Sequence, residues 1–189
     1  MKAPRQNTFR LIAGTHRGRR LTFPDVGDIR PSPDRVRETL FNWLQPLISG
    51  ARCLDLFAGS GALGLEALSR GAAHLEFVDR NRRVTDAIRQ HLVLLREEAR
   101  AVVHVSDAMG FLCTPPKGSF DIVFLDPPYH ANLLAPAAAA LESGGWLAEG
   151  ARIYLECDLR QGLPPLPENW EIVRDGKAGQ VGFYLAVRR

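Results

Sequence analysis

The 189 residues fit one domain of ordinary size, large enough to enclose a core without a disulfide or metal staple. With 46% hydrophobic and 24% charged residues the composition is globular, and no uncharged apolar run reaches the roughly 18 residues needed to cross a bilayer. The net charge of +3 is too small to argue for a polyanionic partner, so any such argument rests on where the charge sits.

Met1 to Pro24 carries Lys2, Arg5, Arg10, Arg17, Arg19 and Arg20 and no acid. Pro4, Gly14 and Gly18 do not suit the amphipathic helix of an organelle transit peptide. The segment reads as a basic arm, either an anion-binding patch or a solvated terminus. Within it, Phe9 to Ala13 and Arg19 to Phe23 flank Gly14 and Gly18 and predict a small hairpin. A helix begins near Ser32: Ser32 can cap it, Pro33 suits its first position and Asp34 complements its dipole. Val36, Leu40, Trp43, Leu44 and Leu47 form its apolar stripe, leaving Arg35 to project from the first turn.

From Ala51 onward, apolar runs alternate with helical periodicity. Strands are predicted at Arg52 to Phe57, His74 to Asp79, Val102 to Val105, Asp121 to Leu125 and Arg152 to Glu156. Val84, Ile88, Leu92 and Leu95 mark a helix within Arg82 to Glu98. Trp170 to Arg174 and Gly182 to Val187, separated by the turn-forming stretch Asp175 to Gly179, predict an antiparallel hairpin at one edge. The fold class is therefore α/β: a doubly wound, mostly parallel, Rossmann-like sheet of seven strands with an antiparallel C-terminal hairpin and a small basic N-terminal hairpin. One domain is expected over 1–189, with an arm at 1–29 and a core at 30–189. Cys53, Cys113 and Cys157 form no Cys-x-x-Cys pair and have no histidine at zinc spacing, which suits a reducing cytosol, no metal and incidental or structural thiols.

Asp55-Leu56-Phe57-Ala58-Gly59-Ser60-Gly61-Ala62-Leu63-Gly64 follows a predicted strand and opens a predicted helix. Gly59 and Gly61 let the backbone turn tightly against a ligand, and Gly64 permits close helix packing. Asp79, twenty residues after Gly59, ends the next strand, where a carboxylate reaches ribose hydroxyls or caps the following helix. Asp107 and Ala108 end the third strand, where a side chain and an amide can meet an adenine edge. These features suit NAD and S-adenosylmethionine alike. Asp55 weighs toward the second, because a carboxylate is badly placed beside a pyrophosphate but well placed beside a cationic amino-acid end; it can also simply order the loop.

Asp126-Pro127-Pro128-Tyr129 follows the apolar strand Ile122 to Leu125. An amino group on an aromatic ring is a poor nucleophile because its lone pair is delocalised. The Asp126 carboxylate and the Pro127 carbonyl can each accept one amine hydrogen and aim the lone pair, Pro128 helps to fix the backbone, and Tyr129 can stack on the ring.

Taken together, the chain resembles the class I S-adenosylmethionine-dependent methyltransferases, and within them the bacterial RsmD-type 16S ribosomal RNA guanine-2-amino methyltransferases. The resemblance runs from Arg17-Gly18-Arg19 through Arg30-Pro31-Ser32-Pro33-Asp34-Arg35-Val36-Arg37-Glu38, the glycine loop, Asp126 to Tyr129 and Gly145-Trp146-Leu147-Ala148 to Ala178-Gly179-Gln180-Val181. It implies S-adenosylmethionine held by Asp55, Phe57, Ala58, Gly59, Ser60, Gly61, Asp79, Arg80, Asp107 and Ala108. It implies a target base held by Asp126, Pro127, Pro128 and Tyr129, and 16S RNA in the 30S subunit or an assembly intermediate as substrate; the cysteines suit a cytoplasmic protein, and nothing in the sequence requires more than a monomer. Arg10, Arg17, Arg19, Arg20, Arg30 and Arg35 are the candidate RNA contacts; Arg35 can equally sit near the cofactor or pair with Glu38. Ser32 stands where threonine is expected and Asp107 where asparagine is common, each keeping a cap or an acceptor. The rival readings are transfer to adenine N6 or a protein amide, a nicotinamide oxidoreductase, and a non-enzymatic ribosome-assembly factor.

Overall fold

Strands that read as near-continuous apolar runs must be covered on both faces. The structure, a computed structural model describing residues 7–27 and 29–189, meets that demand with one central sheet; Lys2 and Arg5 of the basic arm lie outside the described residues. In chain order the elements are β1 (Asn7–Arg10), β2 (Arg20–Phe23), α1 (Asp34–Ile48), β3 (Arg52–Asp55), α2 (Ala62–Ser69), β4 (His74–Asp79) and α3 (Arg82–Leu95). There follow β5 (Ala101–Val105), α4 (Ala108–Leu112), β6 (Phe120–Leu125), α5 (Leu134–Ser143), β7 (Leu147–Asp158), β8 (Trp170–Ala178) and β9 (Val181–Arg188). The sheet order is β5-β4-β3-β6-β7-β9-β8, with β3 to β7 parallel and β9 antiparallel to both β7 and β8. No described helix is long and apolar enough to cross a membrane.

Alternate residues of each strand serve opposite faces. Cys53, Phe77 and Phe124 pack with α1, α2, α3 and the β1–β2 hairpin, while Leu54, Val78 and Val123 pack with α4 and α5. Winding reverses between β3 and β6, which opens a crevice at the carboxyl ends of those strands. Gly64 shows how tightly α2 lies on the sheet: a Cβ there would stand 2.2 Å from the Phe77 ring. Gly64→Ala is therefore expected to cost about 1–3 kcal/mol through overpacking, read as a lowered denaturant midpoint at unchanged slope.

From Asn7 onward the basic arm is docked, not solvated. Phe9, Leu11, Leu21 and Phe23 are buried in the core formed with α1, α2 and α3. β1 stops at Arg10, short of the expected Ala13, because the next amides turn to α2: Ile12 and Ala13 donate to the Glu66 carboxylate at 2.8 and 3.1 Å. Arg37, fully buried, joins the same network, donating to the Arg10 carbonyl at 3.0 Å and to Asp34 at 2.6 Å, with a guanidinium nitrogen 3.6 Å from Glu66.

Several expected boundaries move for identifiable reasons. Ser32 does not cap α1; Pro33 takes the cap position with no side-chain bond, and the Ser32 hydroxyl donates instead to Glu156 at 2.8 Å. Leu47 is exposed, because the buried stripe of α1 is rotated onto Val36, Leu40, Phe41, Leu44 and Ile48. α3 ends at Leu95, where Arg96 adopts a left-handed conformation. β7 starts at Leu147, not Arg152, so Leu147 and Ala148 belong to the strand. β8 runs through Asp175, Gly176 and Lys177, which were expected to turn; Gly176 leaves room for the Phe183 ring, and the reversal falls at Gly179-Gln180.

Candidate active site

A cleft of about 960 Å³ occupies the crevice. Its floor is the loop after β3, one wall comes from the ends of β4 and β5, and the other from Asp126 to Tyr129 and Glu156. Val26, Gly27 and residues 29–33, from the chain between the N-terminal hairpin and α1, form a further wall, and Ala178 and Val181 flank the last turn at its edge.

Each side chain is placed by local backbone demands. Asp55, only 2% exposed, accepts the Gly64 amide at 3.1 Å and so ties the end of β3 to the first turns of α2. Between them Gly59 and Gly61 take positive φ of 51° and 79°, the left-handed conformation that a turn this tight requires. Asp79 accepts the Gly59 amide at 3.0 Å and the Asn81 amide at 2.8 Å, which aims its carboxylate along the rim; the cap of α3 is Asn81, whose side chain accepts the Arg83 amide. Asp107 caps α4 by accepting the Gly110 amide at 2.8 Å, and Ala108 is buried behind it. Phe57, Ala58, Ser60 and Arg80 complete this half of the cleft.

The cleft is rich in carboxylates. Asp55, Asp79, Asp107, Asp126 and Glu156 line it, against Arg30 and Arg80 among its described residues. Burial, relieved in part by the Gly64 amide and reinforced by Asp79, pushes the Asp55 carboxyl up to about 7. Burial and the neighbouring Glu156 and Asp55 carboxylates push Asp126 well above the usual range. A buried carboxylate without a counter-ion is stabilised by an incoming cation and destabilised by an anion. The site therefore fits a ligand carrying ammonium or sulfonium charge, and a pyrophosphate poorly.

At the chemical end, Asp126 is half-buried at the cleft, Pro127 is buried, Pro128 is exposed, and Tyr129 is half-buried. The Tyr129 hydroxyl donates to Glu156 at 3.2 Å, so the ring is held at the wall. Glu156, 4% exposed, also accepts the Tyr154 hydroxyl at 2.6 Å in addition to Ser32. Glu156 was absent from the residues expected at the site. Its signal lies in the sequence: like Asp55, Asp79 and Asp126, it is an acid at the carboxyl end of an apolar strand.

Of the six candidate RNA-contacting arginines, Arg10 and Arg20 face each other across the β1–β2 register, and Arg35 follows Asp34, the partner of Arg10. Arg30 lines the cleft; Arg10 sits 3.7 Å from Asp34, an exposed pair of little energetic weight; Arg17, Arg19 and Arg20 are exposed along the hairpin; and Arg35 is exposed on the first turn of α1.

Comparison with known proteins places this arrangement. A family model described as Conserved hypothetical protein 95 matches residues 9–187. The chain belongs to this family of RsmD-type methyltransferases. It is 47% identical over 192 residues to ribosomal RNA small subunit methyltransferase D of Escherichia coli K12, covering 100% of this chain and 96% of that protein. It is 42% identical to the protein of the same name from Haemophilus influenzae, covering 93% and 92% of the two chains. A solved structure of a putative methyltransferase, yhhF, from Escherichia coli superposes with a TM-score of 0.89 at 47% identity, covering 97% of this chain and 99% of that one. The RsmD family thus accounts for the seven-stranded sheet with its antiparallel edge and for the hairpin ahead of it.

Proposed function

We propose that this RsmD-family protein transfers the methyl group of S-adenosylmethionine to the exocyclic 2-amino group of a guanine in 16S ribosomal RNA. The substrate is the 30S particle or an assembly intermediate, and the enzyme is a cytoplasmic monomer with one catalytic domain. The observation that carries the reading is the position of Asp126-Pro127-Pro128-Tyr129 at the switch-point crevice, on the wall opposite Asp79 and beside the buried Asp55. The ribosomal substrate is supported by the names of the relatives.

When bound, S-adenosylmethionine supplies a methyl group on a positively charged sulfur. Asp79 receives the ribose hydroxyls, Asp107 and Ala108 meet the adenine edge, and Asp55 with the Gly59 to Gly61 backbone faces the amino-acid end. The target guanine, flipped out of its stack, lies against Tyr129. Asp126 and the Pro127 carbonyl take its two amine hydrogens, so that the lone pair points at the methyl carbon and not into the ring. The wall formed by Val26, Gly27 and residues 29–33 keeps water from competing. Arg10, Arg17, Arg19, Arg20, Arg30 and Arg35 contact phosphates and orient the particle.

Asp55 gives the cofactor site a defined pH dependence. A carboxyl raised to about 7 binds its proton more tightly in the folded chain than in the unfolded one, so it favours folding at low pH, an effect lost as pH rises through about 7. A bound cation reverses the preference. S-adenosylmethionine affinity should therefore rise several-fold from about pH 6 to about pH 8 with release of a proton, seen by calorimetry in buffers of different ionisation enthalpy, and Asp55→Asn should flatten it.

The function is tested by offering labelled S-adenosylmethionine with 30S particles from cells lacking this activity, protein-free RNA, DNA and ribosomal protein. Label in 30S RNA supports the proposal. Label confined to DNA or protein moves the acceptor to adenine N6 or an amide, and salt-dependent RNA binding without any transfer points to an assembly factor.

A further inference from the structure

Glu156 is bound by more partners than a structural carboxylate at a strand end needs, and its surroundings point at Asp126. β6 and β7 run parallel with Phe124 opposite Tyr154 and Leu125 opposite Leu155. The next step of that register sets Asp126 alongside Glu156 at the carboxyl ends of the two strands, and both line the cleft. Two carboxyl groups so close, Glu156 buried and Asp126 half-buried, repel each other when both are charged, which favours a proton held between them.

The hydrogen bonds decide which one keeps the proton. Glu156 accepts three hydroxyls: Ser32 and Tyr154 on one oxygen, at 2.8 and 2.6 Å, and Tyr129 on the other, at 3.2 Å. Donors aimed at a carboxylate stabilise its ionised form. Among the described residues Asp126 receives no hydrogen bond from such a donor and forms no ion pair, and the other titratable groups facing it are Asp55 on β3 and Tyr129 and Tyr154 beside Glu156. All of them oppose a second negative charge.

We propose that Asp126 and Glu156 share a single proton, carried by Asp126 and donated to Glu156, so that the remaining Asp126 oxygen meets the acceptor amine as a neutral, amide-like hydrogen-bond acceptor and not as a base. The inference rests on the methyl-transfer reading. The acceptor nitrogen forms the new N–C bond with its lone pair, while the electron pair of the breaking C–S bond stays on sulfur. The methylated nitrogen then gives one proton to water. Asp126 holds the amine throughout, and Glu156 is a positioning residue: it fixes the Asp126 proton, and through it the oxygen that faces substrate, while its other bonds hold Tyr129 and the Ser32 wall.

Two readouts test the pair. In the free protein at neutral pH, infrared difference spectra in H₂O and D₂O are compared in an Asp55→Asn background, because Asp55 itself is part-protonated there; they should show the C=O band of a protonated carboxyl in Asp55→Asn, and not when Asp126→Asn is added. Glu156→Gln in the same background should shift the frequency of the band, because the Asp126 proton is then donated to a neutral amide in place of a carboxylate. Retention of the band when Asp126→Asn is added to Asp55→Asn, an unchanged frequency when Glu156→Gln is added, or absence of the band from Asp55→Asn overturns the proposal. In methyl transfer to 30S RNA, Asp126→Asn keeps both hydrogen bonds and should fall by no more than about tenfold, against a loss on the order of 10³-fold for Asp126→Ala. An asparagine variant as inactive as alanine overturns the amide-like role. Failure of wild type to methylate 30S RNA defeats the substrate reading instead, and the spectra still judge the pair.

Discussion

Asp126→Ala is expected to lower methyl transfer by on the order of 10³-fold while S-adenosylmethionine still binds. The reasoning starts from the nucleophile. The lone pair of an exocyclic amine is delocalised, so its reactivity depends on being held with both hydrogens engaged. Asp126 provides one of the two acceptors, on a backbone fixed by Pro127 and Pro128 at the end of β6. Alanine removes that acceptor and leaves the rest of the cleft in place. Single-turnover rates with saturating 30S particles should fall while titrated cofactor affinity moves little. A variant with near-normal single-turnover rates would remove Asp126 from the chemistry.

The second large effect is on stability. Glu66, fully buried in α2, accepts the Ile12 and Ala13 amides and the Arg70 side chain, and lies 3.6 Å from the buried Arg37 guanidinium. That guanidinium nitrogen has no hydrogen bond among the described residues, so Glu66 is its nearest compensation. Glu66→Leu leaves Arg37 underpaired and strands two amides, and is expected to cost about 3–5 kcal/mol. The loss should appear in denaturant unfolding, with the hairpin amides losing hydrogen-exchange protection first. Arg37→Leu in the same chain should recover part of it, because the stranded charge is then gone. A cost below about 1 kcal/mol would mean that water reaches the network.

The fold was largely legible because it is written in two periodicities. His74 to Asp79 is reproduced to the residue, and the seven strands follow from apolar runs separated by helical spacing. The losses lie where tertiary contacts override local preference. Ser32 looks like a cap by type but spends its hydroxyl on Glu156, a partner 124 residues away. Asp175 to Lys177 look like a turn by composition, yet they pair along β9 because Phe183 fills the space that Gly176 leaves open. Arg37 and Glu66 drew no expectation from sequence, yet they are the buried tie between hairpin and core.

The candidate site divides in the same way. Asp55, Asp79, Asp107 and Asp126 were visible as acids or caps at strand ends, and all of them line one cleft. Glu156 obeys the same rule, but its three hydroxyl donors come from separate segments, so its connection to Tyr129 and Ser32 exists only in the folded chain. The basic residues were legible as a group but not as a surface, since charge in sequence does not say which side chains share a face.

The central claim is most directly tested by chromatography of nucleosides from 30S RNA labelled by the wild-type protein with S-adenosylmethionine. The account predicts the label in 2-methylguanosine, at one site per particle. Label in N6-methyladenosine would contradict the assigned amine, and particles left unlabelled by a protein that binds S-adenosylmethionine would contradict the assigned substrate.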